Sequence, residues 1–273
     1  MKKNKFLIVL AIIFVLTVAF FTAKWMSETG KKIIARPPVE RALKKAPKMA
    51  PRPAGAKMAV ILDDWGLNTA RLEEAIAIGQ PLTLSILPHL KYSRDIAKVA
   101  KAHGLGVMLH MPMQPKGSHQ PMEPHTLLIT MSEDEIVTYL EEALASVPEA
   151  EGANNHQGSA ATSDLRVMRL VLSRLKEKGL FFVDSRVIAS SVGSKVAKEV
   201  GIRFERRDVF IDNQPVVDAV VEQLREGQRI ALTHGRAVVI GHDKKATLEA
   251  IRRMVPELKR NGVHLVLVRD LVK

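Results

Sequence analysis

The sequence predicts an α/β fold, a parallel (β/α) barrel of seven or eight strands, and three observations carry that reading. From about Lys57 onward, apolar strand-like runs alternate with helical stretches, and such alternation implies a parallel sheet with helical crossovers. The roughly 216 residues involved suit one barrel better than two domains. The first run, M-A-V-I-L-D-D-W-G at 58–66, drives five apolar residues straight into Asp63 and Asp64. Paired carboxylates at the carboxyl end of a buried strand stand where barrels hold ligands and metals.

Residues 1–29 read as a transmembrane signal anchor. Lys2, Lys3 and Lys5 precede the uncharged run Phe6–Ala23, whose length is close to the minimum for a membrane span. No A-x-A cleavage signature follows; the chain continues T-A-K-W-M. An uncleaved anchor is therefore expected over a cleaved signal peptide. Either way the remainder is exported, to a periplasmic or extracytoplasmic face, with Lys2–Lys5 left in the cytoplasm. Residues 30–56 form a Pro/Lys/Ala-rich linker, with Pro37, Pro38, Pro47, Pro51 and Pro53 opposing any stable helix. Its basic side chains suit an anionic membrane surface. The globular domain spans 57–273.

Charge follows this division. Residues 1–57 hold 13 of the 41 basic residues but only Glu28 and Glu40 among the 29 acidic ones. The domain is thus nearly neutral, and no Lys/Arg cluster interleaved with aromatics marks a nucleic-acid footprint in its sequence. The chain has no cysteine, so no disulfide supports it.

In chain order, Asn68 caps a helix to about Ile78, ended by Gly79. Leu82–Leu87 is a second strand, closed by Pro88-His89. Ser93 caps a helix to about His103. Leu105–Leu109 is a third strand with His110 directly after it. The loop of roughly 20 residues that follows is long enough to suggest function. Ser132 and Glu135 form a capping box for a helix to about Val147. A short fourth strand at 150–153 leads into Asn154-Asn155-His156. Ser163 or Asp164 starts the next helix, and Leu180–Val183 is a fifth strand ending at Asp184. A helix over 194–200 precedes a sixth strand, Ile202–Phe204. Pro215 opens a helix to about Glu226, and a second short helix ends at Gly235. Arg236–Ile240 is a seventh strand followed by Gly241-His242. A helix over 247–260 and a strand over 264–268 complete the chain.

The strand ends therefore read Asp63-Asp64, His89, His110, His156, Asp184 and His242. A barrel gathers these ends on one face. Two carboxylates with two or three imidazoles suit a divalent metal such as zinc. Such a site activates water, and the second carboxylate can take the proton.

The chain resembles the divergent polysaccharide deacetylases, relatives of the NodB-homology carbohydrate esterases. The resemblance lies in V-I-L-D-D-W-G at 60–66, L-S-I-L-P-H at 84–89 and G-x-x-x-x-L-H-x-P-M at 104–113. It continues in N-N-H-Q-G-S at 154–159, F-F-V-D-S at 181–185 and V-V-I-G-H at 238–242. It implies a deacetylase-type barrel acting on an acetylated carbohydrate polymer such as peptidoglycan. By that resemblance Asp63 is the base, Asp64 and His110 are metal ligands, and His242 is the general acid. The family's H-x-x-x-H motif has Gln114 in its last position here, and His156 is the expected replacement ligand. Asp184 is expected either to orient a histidine by a hydrogen bond or to be a buried structural carboxylate. Asn154, Asn155, His89 and Arg206 are expected at the substrate. Two alternatives stay open: an impaired barrel that binds cell-wall glycan or a partner protein, and glycosidic hydrolysis by Asp63 facing Asp184.

Overall fold

The computed structural model describes Lys24, residues 55–117 and residues 121–273. The expected anchor and nearly all of the linker lie outside the described residues. Among the described residues no helix is long and apolar enough to cross a membrane.

Among the described residues nine strands form one parallel sheet: β1 Ala56–Trp65, β2 Thr83–Ile86, β3 Gly106–Met113, β4 Gly152–Gln157, β5 Phe181–Asp184, β6 Phe204–Arg206, β7 Val209–Phe210, β8 Arg236–His242 and β9 Val263–Val266. Between them run helices α1 Leu72–Ala77, α2 Ser93–Ala102, α3 Glu133–Ser146, α4 Leu165–Glu177, α5 Gly193–Val200, α6 Val217–His234 and α7 Lys245–Arg260. The strand order is β6-β5-β4-β3-β2-β1-β8-β7, with β9 also on β1. Because β8 pairs with β1 from Lys57 to Asp63, β9 and β2 must share the other edge, on Ala56–Ala59 and Ile61–Trp65 in turn.

The closed ring expected from the sequence is corrected to a curled half-barrel. β6 and β7 are the two ends of the path, yet only Arg207 and Asp208 separate them. The Arg207 amide donates to the Asp184 carbonyl on β5 (3.0 Å), and the Asp208 amide donates to the Val238 carbonyl on β8 (2.8 Å). No ladder joins β6 to β7; at three and two residues they are too short to close the seam.

Side chains alternate across the sheet, and the core divides accordingly. Residues such as Val60, Leu62, Val107, Leu109, Ala237 and Val239 belong to the layer between sheet and helices. The opposite parity, including Ala59, Ile61, Met108, Phe181, Val183, Val238 and Ile240, fills the barrel interior. Val268, Leu271 and Val272 join this interior cluster, and the Val268 amide donates to Thr83 Oγ1 at the first residue of β2 (3.3 Å). These residues therefore plug the amino end of the barrel. Among the described residues both clusters draw on 56–272, and residues 51–273 form a compact unit of their own. The domain thus carries the hydrophobic interior it needs to fold alone.

Several elements differ from expectation for local reasons. β3, β4 and β8 run further than predicted, so His110, Asn154–His156 and His242 lie within strands instead of after them. Ser93 is the first residue of α2 and not its cap; its hydroxyl donates to the Leu87 carbonyl (2.6 Å) and accepts from the Leu90 amide (3.1 Å), closing the preceding turn. The two helices expected after Pro215 are one, α6. Gly227, in its interior, is a contact point and not a breaker: a Cβ there would stand 2.6 Å from the Val239 side chain. The capping box at Ser132 and Glu135 and the cap at Asp164 form as expected.

Candidate metal centre

The strand parity that packs the interior also builds the site. Asp63 continues Ala59 and Ile61, His110 continues Met108, and His242 continues Val238 and Ile240. Their register confirms one level: Asp63 lies opposite His242, and His110 opposite Asn154. Polar side chains thus follow apolar ones toward the carboxyl-end mouth.

Asp64 has the wrong parity for this mouth, and the backbone corrects it. The β1–β2 register shifts between Leu62 and Trp65, and Asp64 takes φ of 68°. A bulge re-aims a side chain, and positive φ in a non-glycine residue is the strain that functional sites retain. Both carboxylates of the pair therefore face the same imidazole. His110 Nε2 lies 3.2 Å from Asp64 Oδ1 and 3.6 Å from Asp63 Oδ2.

Asn154 sets the proton arrangement. Its Nδ2 donates to Asp63 Oδ1 (2.9 Å), since a carboxylate can only accept, so its Oδ1 is the acceptor on the other side. Ser85 Oγ donates to that oxygen (2.5 Å), and so does His110 Nδ1 (2.8 Å). With Nδ1 carrying hydrogen, the Nε2 lone pair of neutral His110 is left to a ligand. His156 Nδ1 completes the group, 3.1 Å from Asp64 Oδ1 and 3.2 Å from His110 Nε2.

These three atoms fit a metal. Two imidazole nitrogens and a carboxylate oxygen form a catalytic-type donor set that leaves a position open. Ligands about 2.0–2.1 Å from a tetrahedral zinc lie about 3.3 Å apart, close to the separations here.

The electrostatics agree. Burial pushes Asp63 above the usual carboxylate range, and neighbouring Asp64 adds to the rise against the pull of His110 and Asn154. Burial acts the same way on Asp64, but hydrogen bonds from His110 and His156 outweigh it and hold Asp64 low. Burial would lower His110; the Asp63 and Asp64 carboxylates overcome it and hold the imidazole at about 9. A cation bound here displaces that proton.

On the far side, His242 Nε2 stands 3.5 Å from Asp64 Oδ2. Its Nδ1 meets Asp212 Oδ1 at 2.9 Å, and its backbone amide donates to Asp212 Oδ2 (2.8 Å), which also accepts from Thr247 Oγ1 (2.8 Å). Despite burial, these partners raise His242. Gly241 makes the approach feasible: a Cβ there would stand 2.7 Å from the Ile211 side chain, forcing apart the segments that carry His242 and Asp212.

The sequence profile of the divergent polysaccharide deacetylases matches residues 60–272, the stretch that builds this centre. The chain belongs to the divergent polysaccharide deacetylase family. A family relative from Haemophilus influenzae, an uncharacterized protein, is 36% identical over 207 residues, covering 75% of this chain and 74% of its own. The uncharacterized protein YibQ of Escherichia coli is 33% identical over 202 residues; the match covers 74% of this chain and 63% of that protein. Among solved structures, the uncharacterized protein ATU2773 of Agrobacterium tumefaciens shares the fold with a TM-score of 0.76 at 23% identity, over 80% of this chain and 89% of its own. A T48 deacetylase with substrate aligns with a TM-score of 0.52 at 15% identity, over 80% and 94%. A mutant of BA3943, described as a CE4 family pseudoenzyme, aligns at 0.50 and 17%, over 82% and 71%.

In this member of the divergent polysaccharide deacetylase family, the other expected site residues are placed as follows. Gln114 does not face the centre. Its Oε1 accepts from the Ile129 amide (2.8 Å) and its main chain bonds Leu127, Ala160 and Ala161, pinning the long loop after β3. Asp184 does not orient a histidine. Its carboxylate accepts from the Arg186 amide (2.7 Å) and from Ser191 Oγ (2.5 Å), so it shapes the turn after β5. That also leaves it unsuited to face Asp63 across a glycosidic bond. Asn154 and Asn155, expected at the substrate, are 0% and 1% exposed. Asn155 accepts from the Ser185 amide (2.9 Å) and donates to the Gln157 carbonyl (2.7 Å), tying β4 to the end of β5. His89 stacks against His125, ring centroids 4.4 Å apart, and does not join the cluster. Arg206 lines a separate cavity. Two functional residues escaped the sequence reading, Asp212 and Ser85. Asp212 carries a signal: Val209-Phe210-Ile211 is an apolar run ending in Asp, the pattern of Val60–Asp63 in miniature. Ser85 carries none.

Proposed function

We propose that the protein is an exported, membrane-anchored, zinc-dependent deacetylase of an acetylated cell-envelope polysaccharide, peptidoglycan being one candidate. The supporting observation is the convergence of Asp64 Oδ1, His110 Nε2 and His156 Nδ1 within 3.1–3.2 Å of one another. It stands between a buried carboxylate of raised pKa and a histidine backed by Asp212.

Asp64, His110 and His156 would hold the ion, which would supply Lewis acidity for the activation of water near neutral pH. Asp63 accepts a proton from water as water adds to the acetyl carbonyl; its raised pKa suits a base. Asn154 keeps Asp63 aimed by donating to its other oxygen. His242 gives a proton from Nε2 to the departing nitrogen or oxygen of the sugar as the bond to the acetyl carbon breaks. Acetate and a free amino or hydroxyl group result. Asp212 holds the His242 ring through Nδ1 and stabilises its charged form.

The test is to purify residues 51–273, measure metal content, and assay acetate release from acetylated glycans. Stoichiometric metal with acetate release supports the reading. Full metal occupancy with no release from any glycan rejects it, in favour of a barrel that binds glycan without turnover. That second reading draws on the fold's likeness to a protein described as a pseudoenzyme.

A further inference from the structure

The charge cluster Arg203–Asp208 has no part in the chemistry above, and Arg206 shows where it acts instead. Arg206 lines a cavity of about 490 Å³ with Lys198, Arg203, Arg236 and Lys273. Among the described residues Glu205 is the one carboxylate side chain on its wall, and it is paired with Arg236. Among the described residues, no carboxylate forms an ion pair with Lys198, Arg203 or Arg206. Arg203 lies over the Phe181 ring, 5.6 Å from its centroid, and donates to the Gly179 carbonyl (3.2 Å). Gathered cations repel one another, and an anionic partner relieves that repulsion. Lys198 lies in the last turn of α5, where the helix dipole accounts for a cation. The dipole does not account for Arg203, Arg206, Arg236 or Lys273, which lie in strands and connecting segments.

The cavity runs beside β6: Arg236 and Lys273 meet it from the amino end of the domain, while Arg206 is the last residue of β6, in register with Asp184 at the carboxyl end of β5. Arg236 is the first residue of β8 and pairs in register with Lys57. The Lys57 amide donates to the Gly235 carbonyl (3.0 Å), and the Phe204 amide donates to that of Lys273 (2.9 Å). Gly55 directly precedes β1 at the amino end of the domain, and residues 1–57 of the sequence carry 13 Lys and Arg against two Glu.

We propose that this basic groove docks on the phosphate headgroups of an anionic membrane. Two observations choose that occupant: the charge of the groove, and the basic, apolar-led sequence that precedes Gly55 in the chain. The membrane as the source of the phosphate rests on the tethered reading of residues 1–29; the anion-binding groove itself does not.

The experiment is vesicle cosedimentation of residues 51–273, which lack the apolar run, on mixed phosphatidylglycerol–phosphatidylcholine and on pure phosphatidylcholine. Binding to the anionic vesicles alone, weakened by salt, is expected. Each cation near an anionic surface contributes about fivefold to partitioning, so the triple variant K198E/R203E/R206E should lose at least about tenfold. The charge-conserving R203K/R206K should keep binding, which separates loss of charge from loss of fold. Acetate release from a soluble acetylated oligosaccharide should be equal in parent and variants. Absence of binding to anionic vesicles, or equal binding by parent and triple variant, overturns the proposal. Saturable uptake of inorganic phosphate without vesicle binding also overturns it, leaving a small-anion site. Vesicle binding lost in the triple variant, with no acetate release from either protein, upholds the groove and counts against the deacetylase reading for that oligosaccharide alone.

Discussion

Replacing Asn154 with Ala tests the central geometric claim, because one amide there holds three other side chains. The substitution removes the bond to Asp63 Oδ1 (2.9 Å), the bond from His110 Nδ1 (2.8 Å) and the bond from Ser85 Oγ (2.5 Å). Asn154 is fully buried. A buried polar group left without a partner costs about 1–3 kcal/mol, and water entering the small space can recover part of it. A net loss of about 3 kcal/mol is the resulting expectation, read as a drop in Tm of about 6–12 °C for a domain of this size. The second consequence is more specific. Without its acceptor, the His110 ring is free to rotate and to change tautomer. Loss of such a supporting bond typically weakens metal affinity by about 10–100-fold. Chelator competition with zinc on residues 51–273 measures this directly. Ser85→Ala serves as the control: it removes one donor to the same oxygen and leaves His110 oriented, so affinity should change little. If Asn154→Ala folds and binds zinc within about twofold of the parent, Asn154 does not orient His110 and the account of the centre fails.

Four further outcomes are expected. Asp63→Asn should keep zinc and substrate binding but abolish acetate release, since the base is gone while Asp64, His110 and His156 remain; retained turnover would reassign the base. Asp212→Asn should lower kcat about 10²–10⁴-fold with metal content unchanged, the range assigned to a general acid whose protonation is disturbed. In chelator-treated protein, His110 at about 9 lies above its ordinary 6.5, so its stabilising contribution is fully present below pH 6.5 and lost as pH rises through 9. That is roughly 3 kcal/mol, visible as a fall in urea-unfolding free energy between pH 6 and pH 9 that His110→Asn should abolish. Gln114→His should gain no metal affinity, because position 114 faces the Ile129 amide; chelator competition showing tighter zinc binding would contradict that placement.

The elements were legible in sequence wherever local chemistry dominates. The capping box at Ser132 and Glu135 and the cap at Asp164 require only neighbours in the chain. The alternation of strands and helices, and the run into Asp63-Asp64, required only apolar periodicity. Element ends were less legible. His110 and His156 lie inside strands because the register with neighbouring strands extends past the apolar run, and polar residues in a strand carry no local signature. Gly227 resembles a helix breaker until β8 is seen packed against it.

For the centre, the amino-acid order alone was enough to nominate Asp63, Asp64, His110, His156 and His242, since a parallel sheet sends every strand's carboxyl end to one side. It could not say which nominees would meet. Asp184 turns back onto its own loop, His89 stacks outside the cluster, and Arg206 faces another cavity. Those outcomes depend on side-chain direction, which the bulge at Asp63-Asp64, the close pass of β7 beside β8 and the open seam set through contacts between residues distant in the chain. Asp212, 30 residues from His242, becomes its partner only once the sheet has curled.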